Sequence, residues 1–223
     1  MTALQLLGYI GAAIALQLLL GVTIAVWRSK QRVPVATTGV RAPVRDIAWE
    51  GSRDFRVTRR AFEDPAQTQC SFTLTPVDGV PLAPFKPGQF LTFSLPVAGP
   101  GAPGQVVRCY SISDAHDPEH YRITVKRAVA PPGKPDLPAG IASGWLHDKA
   151  QTGAILQVRA PSGQFVFAPD PNAPPVFIAG GIGITPMLTM LKAALADEPD
   201  RVAHLFYGVR NGQDFAFKAE LSQ

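Results

Sequence analysis

The chain has 223 residues, a net charge of +4, 22 prolines, 20 glycines and two cysteines. That length allows one or two domains with a sizeable core. The two cysteines cannot fill the ligand set of an iron–sulfur cluster, and the small positive excess sits just behind the N-terminal segment, which argues against a nucleic-acid surface.

Thr2–Trp27 carries no charged side chain and is rich in Leu, Ile and Val. About 20 apolar residues suffice to cross a bilayer as a helix. Trp27 suits an interface, and Arg28, Lys30, Arg32, Arg41 and Arg45 follow before the first acid, Asp46. A cleaved signal peptide has its charges ahead of the apolar run, the reverse order. The pattern therefore predicts a single-pass membrane anchor over residues 1–28, with the remainder on the cytoplasmic side by the positive-inside rule. A basic linker, residues 29–50, follows, with Pro34, Gly39 and Pro43.

From Phe55 the chain alternates in short runs. Strands are expected at Phe55–Thr58, Ser71–Thr75, Phe90–Leu95, Val106–Ser111, Tyr121–Arg127 and Ile155–Arg159. Asp78-Gly79 and Pro87-Gly88 mark turns, and Val97–Gly104 is a Pro/Gly loop. Short strands at such spacing predict a sandwich or small barrel. His116 and His120 fall in a loop-like Asp/Pro stretch and read as solvated, so no metal site is expected. Ala139–Asp148 has helical spacing.

After Asn172–Pro175 the period changes. Strand Val176–Ala179, helix Pro186–Leu195 and strand Val202–Gly208 form a βαβ unit, the beginning of a parallel α/β domain. Met187, Met190, Leu191, Ala194 and Leu195 share one helix face, with Thr185 as the expected N-cap and Pro186 as the first helical residue. Phe215–Leu221 reads as the opening of a further helix, so this second domain is expected to be incomplete.

Two stretches carry chemistry. Gly180, Gly181 and Gly183 lie between a strand and a helix start. Glycine there lets backbone N–H groups approach a pyrophosphate, and the helix dipole adds a favourable field. The same glycines would equally serve a tight turn with no ligand. In Arg108-Cys109-Tyr110-Ser111, residues two apart share a strand face. Arg108 and Tyr110 can therefore hold a phosphate and stack on a planar ring together, or simply decorate an edge strand.

Taken in order, the motifs resemble those of the ferredoxin–NADP reductase superfamily from about Ser52 onward. Pro87–Phe90 is similar to the turn entering a barrel strand, Arg108–Ser111 to the R-x-Y-S flavin signature and Val125–Arg127 to the next strand. Gly140–Ser143 is similar to the turn at the flavin phosphates, Pro161–Phe165 to the closing strand and Gly181–Pro186 to the G-x-G-x-T-P nucleotide motif. The resemblance implies a six-stranded antiparallel flavin barrel over residues 51–170 and an incomplete nucleotide-binding α/β domain over 171–223.

It also implies roles by position. Arg108 would pair with a flavin phosphate, Tyr110 would stack on the isoalloxazine and Ser111 would hydrogen-bond near its N5, so Tyr110 and Ser111 are the expected catalytic pair. Gly140 and Ser143 would hold flavin phosphates, with Lys126 nearby or on the barrel surface. Gly180, Gly181, Gly183, Ile184, Thr185 and Pro186 would seat NADH or NADPH. FAD is favoured over FMN. The expected activity is an NAD(P)H-dependent flavoprotein reductase at the membrane, passing electrons to an iron–sulfur or other one-electron acceptor. The rivals are a non-enzymatic flavin-binding membrane module, a subunit completed by another chain, and an oxygenase-type system in which a separate segment carries iron or haem.

Overall fold

The computed structural model describes residues 48–97, 104–130, 133, 138–170 and 173–222, together with residue 17. Apart from residue 17 these lie in the second of two compact units, Met1–Asp46 and Ile47–Gln223. The expected anchor and most of the basic linker fall outside the described residues. Among the described residues no helix is long and apolar enough to cross a membrane. The membrane location expected from the N-terminal segment is therefore withdrawn.

Six strands make one antiparallel sheet: β1 (Ser52–Phe62), β2 (Gln69–Pro76), β3 (Phe90–Val97), β4 (Gly104–Ser111), β5 (Tyr121–Lys126) and β6 (Ile155–Ser162). Their order is β4-β3-β6-β1-β2-β5. The alternation in the sequence is realised directly: Phe55 and Val57 of β1, Leu91, Phe93 and Leu95 of β3, and Leu156 and Val158 of β6 point into one core. The sheet curls until its edge strands meet, but β4 and β5 join through a single bridge, Ile112↔Ile123. A curled sheet thus stands where a fully laddered barrel was expected.

Helix α1 (Ile141–Lys149) closes the core with Ala142 and Leu146. Its His147 is buried, and Nε2 lies 2.8 Å from the Val125 carbonyl. Burial pushes the imidazole below its ordinary pKa.

The second part begins with β7 (Val176–Gly180), a 3₁₀ turn (Gly181–Gly183) and helix α2 (Ile184–Asp197). Strand β8 (His204–Gly208) pairs parallel to β7 in a separate two-stranded sheet. A second 3₁₀ turn (Gly212–Asp214) and helix α3 (Lys218–Leu221) follow. Ala179, Ile184, Leu188, Ala216 and Phe217 form a small core of their own. On the opposite face of the sheet Ile178 is 74% and Phe206 61% exposed.

The 3₁₀ turn runs directly into α2, so the helix begins two residues before the expected Pro186, with Gly183 as N-cap. Thr185 is consequently inside the first turn. Its hydroxyl donates to the Ile182 carbonyl at 3.1 Å instead of capping the helix.

Candidate functional site: two motif-bearing surfaces held together

Strand β4 carries the first surface. Its register pairs Arg108 with Phe93, Tyr110 with Leu91 and Ser111 with Phe90. Arg108 and Tyr110 share the face of the buried Phe93 and Leu91, whereas Ser111 is on the other face with Cys109. The Tyr110 ring meets Phe93 edge-on at 5.7 Å. Tyr110 is half-buried, and desolvation pushes its phenol up to about 12, against a smaller opposing pull from Arg108. The phenol is thus a neutral donor and a flat ring at any physiological pH. Arg108 is exposed, and its guanidinium donates only to the neighbouring Val107 carbonyl among the described residues. A free cation beside a half-buried aromatic ring suits an anionic group attached to a planar heterocycle.

Ser143 is buried; its hydroxyl accepts from the Ala128 amide at 3.1 Å and donates to the Gly140 carbonyl at 3.2 Å. A Cβ on Gly140 would sit 2.6 Å from the Ala128 Cβ, so glycine is required for this loop to pack there. Both residues fix the start of α1, whose N-cap Gly140 supplies no side-chain cap. That leaves the dipole of α1 as the attraction for an anion. Lys126 is not on an open surface. Its ammonium lies 3.9 Å from Asp214, which is buried and also bound by Arg210 Nε at 2.7 Å. The hydrogen bond from Arg210 holds the Asp214 carboxyl below its ordinary pKa.

The second surface is the glycine turn. Gly181 has φ +50, which a side chain rarely tolerates. A Cβ on Gly180, Gly181 or Gly183 would meet nothing within 4 Å. There is open space over the backbone at the C-terminal end of β7 and the N-terminal end of α2, the place where a parallel sheet binds phosphates. Ile184 and Thr185 are buried and Pro186 is half-buried, so these three shape the helix start while the glycines face outward.

The two surfaces are joined by contacts the sequence did not disclose. The Gly88 amide donates to Thr189 Oγ1 at 3.1 Å, the Gln69 side chain donates to the Asp214 carbonyl at 2.9 Å, and the Phe217 amide donates to the Glu63 carbonyl at 3.1 Å. Asp114, Arg122, Lys192 and Glu220 form an ion-pair cluster between the curled sheet and the helices. Their partners are distant in sequence, so no local spacing could have announced them. A cleft of about 640 Å³ between β1 and α3 is lined in part by Arg59, Phe62, Glu63 and Phe217. It excludes both Arg108 and the glycine turn.

An antiparallel flavin-type sheet leading into a glycine-turn βαβ unit defines a two-part nucleotide-dependent reductase architecture. Residues 177–223 match the oxidoreductase NAD-binding domain family. The chain is 41% identical over 174 residues to a flavohemoprotein of Rhodopirellula baltica, covering 78% of this chain and 41% of that protein. A flavohemoprotein of Pseudomonas putida is 38% identical over 170 residues, covering 76% and 39%. The chain thus spans about two fifths of the length of these curated relatives. The flavohem-like FAD/NAD binding domain of nitric oxide dioxygenase from Vibrio cholerae superposes with a TM-score of 0.68 at 29% identity, covering 77% of this chain and 68% of that one. Phthalate dioxygenase reductase superposes at 0.61 and 29%, covering 78% and 48%. Similarity over about three quarters of the chain to these flavohemoproteins and reductases agrees with the resemblance to the ferredoxin–NADP reductase superfamily.

Proposed function

We propose that this chain takes electrons from NADH or NADPH into a bound FAD and delivers them to a haem or iron–sulfur acceptor. Residues 51–170 are the flavin-binding part and 171–223 the nucleotide-binding part. When bound, the flavin supplies the hydride acceptance and the onward transfer of electrons. Arg108 neutralises the flavin's phosphate, and Tyr110 presents its ring to the isoalloxazine. Ser111 offers a hydroxyl to the edge of that ring, and the start of α1, shaped by Gly140 and Ser143, faces the remaining phosphate charge. Gly180, Gly181 and Gly183 give the nicotinamide nucleotide's pyrophosphate a close backbone approach, with Ile184, Thr185 and Pro186 setting the helix start. Lys126 acts through Asp214 and not on the flavin. The observation that carries this reading is the open space over three glycines at a strand–helix junction, in a chain whose strand β4, in the other sheet, carries an exposed Arg and a half-buried Tyr.

One observation favours a second reading, a flavin module completed by another chain. The β7–β8 sheet leaves Ile178 and Phe206 on an uncovered face, whereas parallel sheets are usually covered on both faces. Anaerobic titration of the FAD-loaded chain with NADH and then NADPH, followed by flavin absorbance, separates the two. Bleaching by either nucleotide supports the reductase. A bound flavin that dithionite bleaches and neither nucleotide does would leave only the module.

A further inference from the structure

We infer that Lys192 is a positioning residue: it closes a ring of four charges that holds the nucleotide helix in register with the flavin strand, and so sets the rate of hydride transfer without contributing to nucleotide binding. The inference rests on the reductase reading for its kinetic consequence.

The geometry is a closed ring. Asp114 touches both Lys192 and Arg122, and Glu220 touches the same two cations. Arg122 grips Glu220 with both ends of its fork, at 3.0 and 3.2 Å, and reaches Asp114 through Nε at 3.2 Å. Side-chain exposure across the four runs from 14% to 29%, so water screens the ring only in part. Arg122 also lies over the Phe217 ring at 5.2 Å and donates to the Ser113 carbonyl at 2.5 Å.

The position of each member gives the ring its meaning. Asp114 lies three residues beyond Ser111, in the loop that follows the strand carrying Arg108 and Tyr110. Lys192 sits further along α2, whose first turn follows the Gly181–Gly183 turn. Arg122 is in β5 and Glu220 in α3. The ring therefore links the loop after one motif-bearing strand, and strand β5, to the helix that starts at the other motif. Nearby, Thr189 on the same helix accepts the Gly88 amide, so α2 meets the curled sheet at two separate points.

Hydride transfer needs reacting atoms about 3–3.5 Å apart, and a displacement of about 1 Å can cost on the order of 100-fold in rate. None of the ring's members belongs to the glycine turn. Loosening the ring shifts the nucleotide relative to the flavin while leaving the nucleotide's own contacts in place. Removing Lys192 leaves Asp114 and Glu220 sharing Arg122 alone, with one uncompensated negative charge in a partly buried ring.

The test compares wild type with Lys192→Met, Lys192→Arg and Glu220→Gln in two measurements. In anaerobic stopped-flow reduction of the FAD-loaded chain, Lys192→Met lowers the limiting rate by roughly 10- to 100-fold, with the dissociation constant for the nucleotide within about twofold. Glu220→Gln moves the rate in the same direction, and Lys192→Arg restores it. In hydrogen exchange on the flavin-free chain, Lys192→Met speeds exchange of the Gly88 amide while that of Phe72, deep in the curled sheet, is unchanged. A limiting rate and a Gly88 exchange rate both equal to wild type, even with a lower melting temperature, overturn the inference and leave the ring a stabilising contact only. If Lys192→Met does not fold, Glu220→Gln decides by the same two readouts. If the wild-type chain is reduced by neither nucleotide, the reductase reading falls by itself. The Gly88 exchange then decides the lock: acceleration upholds it and no change removes it.

Discussion

The Gly88 amide donates to the hydroxyl of Thr189 across 3.1 Å, joining the turn before β3 to the helix behind the glycine turn. Thr189 is 1% exposed and also donates to the Pro186 carbonyl at 2.8 Å, so the contact is dry and fixed on both sides. Gly88 has φ +102, and a Cβ there would lie 2.3 Å from the Phe165 carbonyl oxygen and 2.4 Å from the Met190 methyl. The methionine end can move but the carbonyl cannot. Gly88→Ala is therefore expected to lower stability by about 1–3 kcal/mol through strain and overpacking. Urea unfolding of the flavin-free chain measures it, and a loss below about 0.5 kcal/mol would show that this approach is not tight.

Arg108 makes its described hydrogen bond only to its neighbour's carbonyl, so truncating it leaves no internal partner stranded. Arg108→Ala is expected to leave the apoprotein's melting temperature unchanged and to weaken FAD binding by roughly 10- to 100-fold, the worth of about 1.5–3 kcal/mol in charge-assisted hydrogen bonds. Fluorescence titration with FAD reads this directly. Unchanged affinity would remove Arg108 from the flavin contact.

How much of this was legible follows from the range of each interaction. The strands of the curled sheet and the glycine turn are written in periods and in glycine, which act within a few residues. The face shared by Arg108 and Tyr110 followed from a spacing of two. Ser143 and Lys126 show the limit. The bond of the Ser143 hydroxyl to the Ala128 amide has no local sequence signal, and Lys126 meets an Asp214 far along the chain. Helix α2 began earlier than Thr185 suggested because a 3₁₀ turn feeds it, and a 3₁₀ turn of glycines leaves no side-chain signal. The ring of Asp114, Arg122, Lys192 and Glu220 exists only once the sheet and helices have packed.

Alkali should act through two tyrosines. Tyr110 and Tyr121 are each pushed up to about 12 from 10.0, in both cases chiefly by desolvation. Folding thus favours the protonated phenols. Their contribution is complete below pH 10 and is lost as pH rises toward 12, because the unfolded chain releases these protons first. Ultraviolet titration should show tyrosinate from these residues appearing late, together with unfolding. Titration of all tyrosines near pH 10 with the fold intact would contradict this.

Acid should act through His147. Its pKa is lowered, chiefly by desolvation and against a smaller upward pull from its bond to the Val125 carbonyl. The unfolded chain then binds the proton more readily. This histidine's contribution is present above its ordinary pKa of 6.5 and is lost as pH falls through the depressed value. Melting temperatures between pH 7.5 and pH 5 should fall for wild type and fall less for His147→Gln. Parallel profiles would assign the acid sensitivity elsewhere.

Gly183 separates folding from binding at the nucleotide turn. Its backbone has φ −63, open to any residue, and an added Cβ would meet nothing within 4 Å. Gly183→Ala therefore adds a methyl group to empty space in the unliganded protein, and its melting temperature should match wild type. In the complex the same methyl group points at the proposed pyrophosphate, where a misfit of about 1.4 kcal/mol is worth tenfold in affinity. The KM for NADH or NADPH should rise by about that factor with FAD affinity unchanged. If the KM is unaltered, the open space over the glycines is not where the nucleotide lies. If FAD affinity falls instead, the turn belongs to the flavin, and the assignment of the two surfaces must be exchanged.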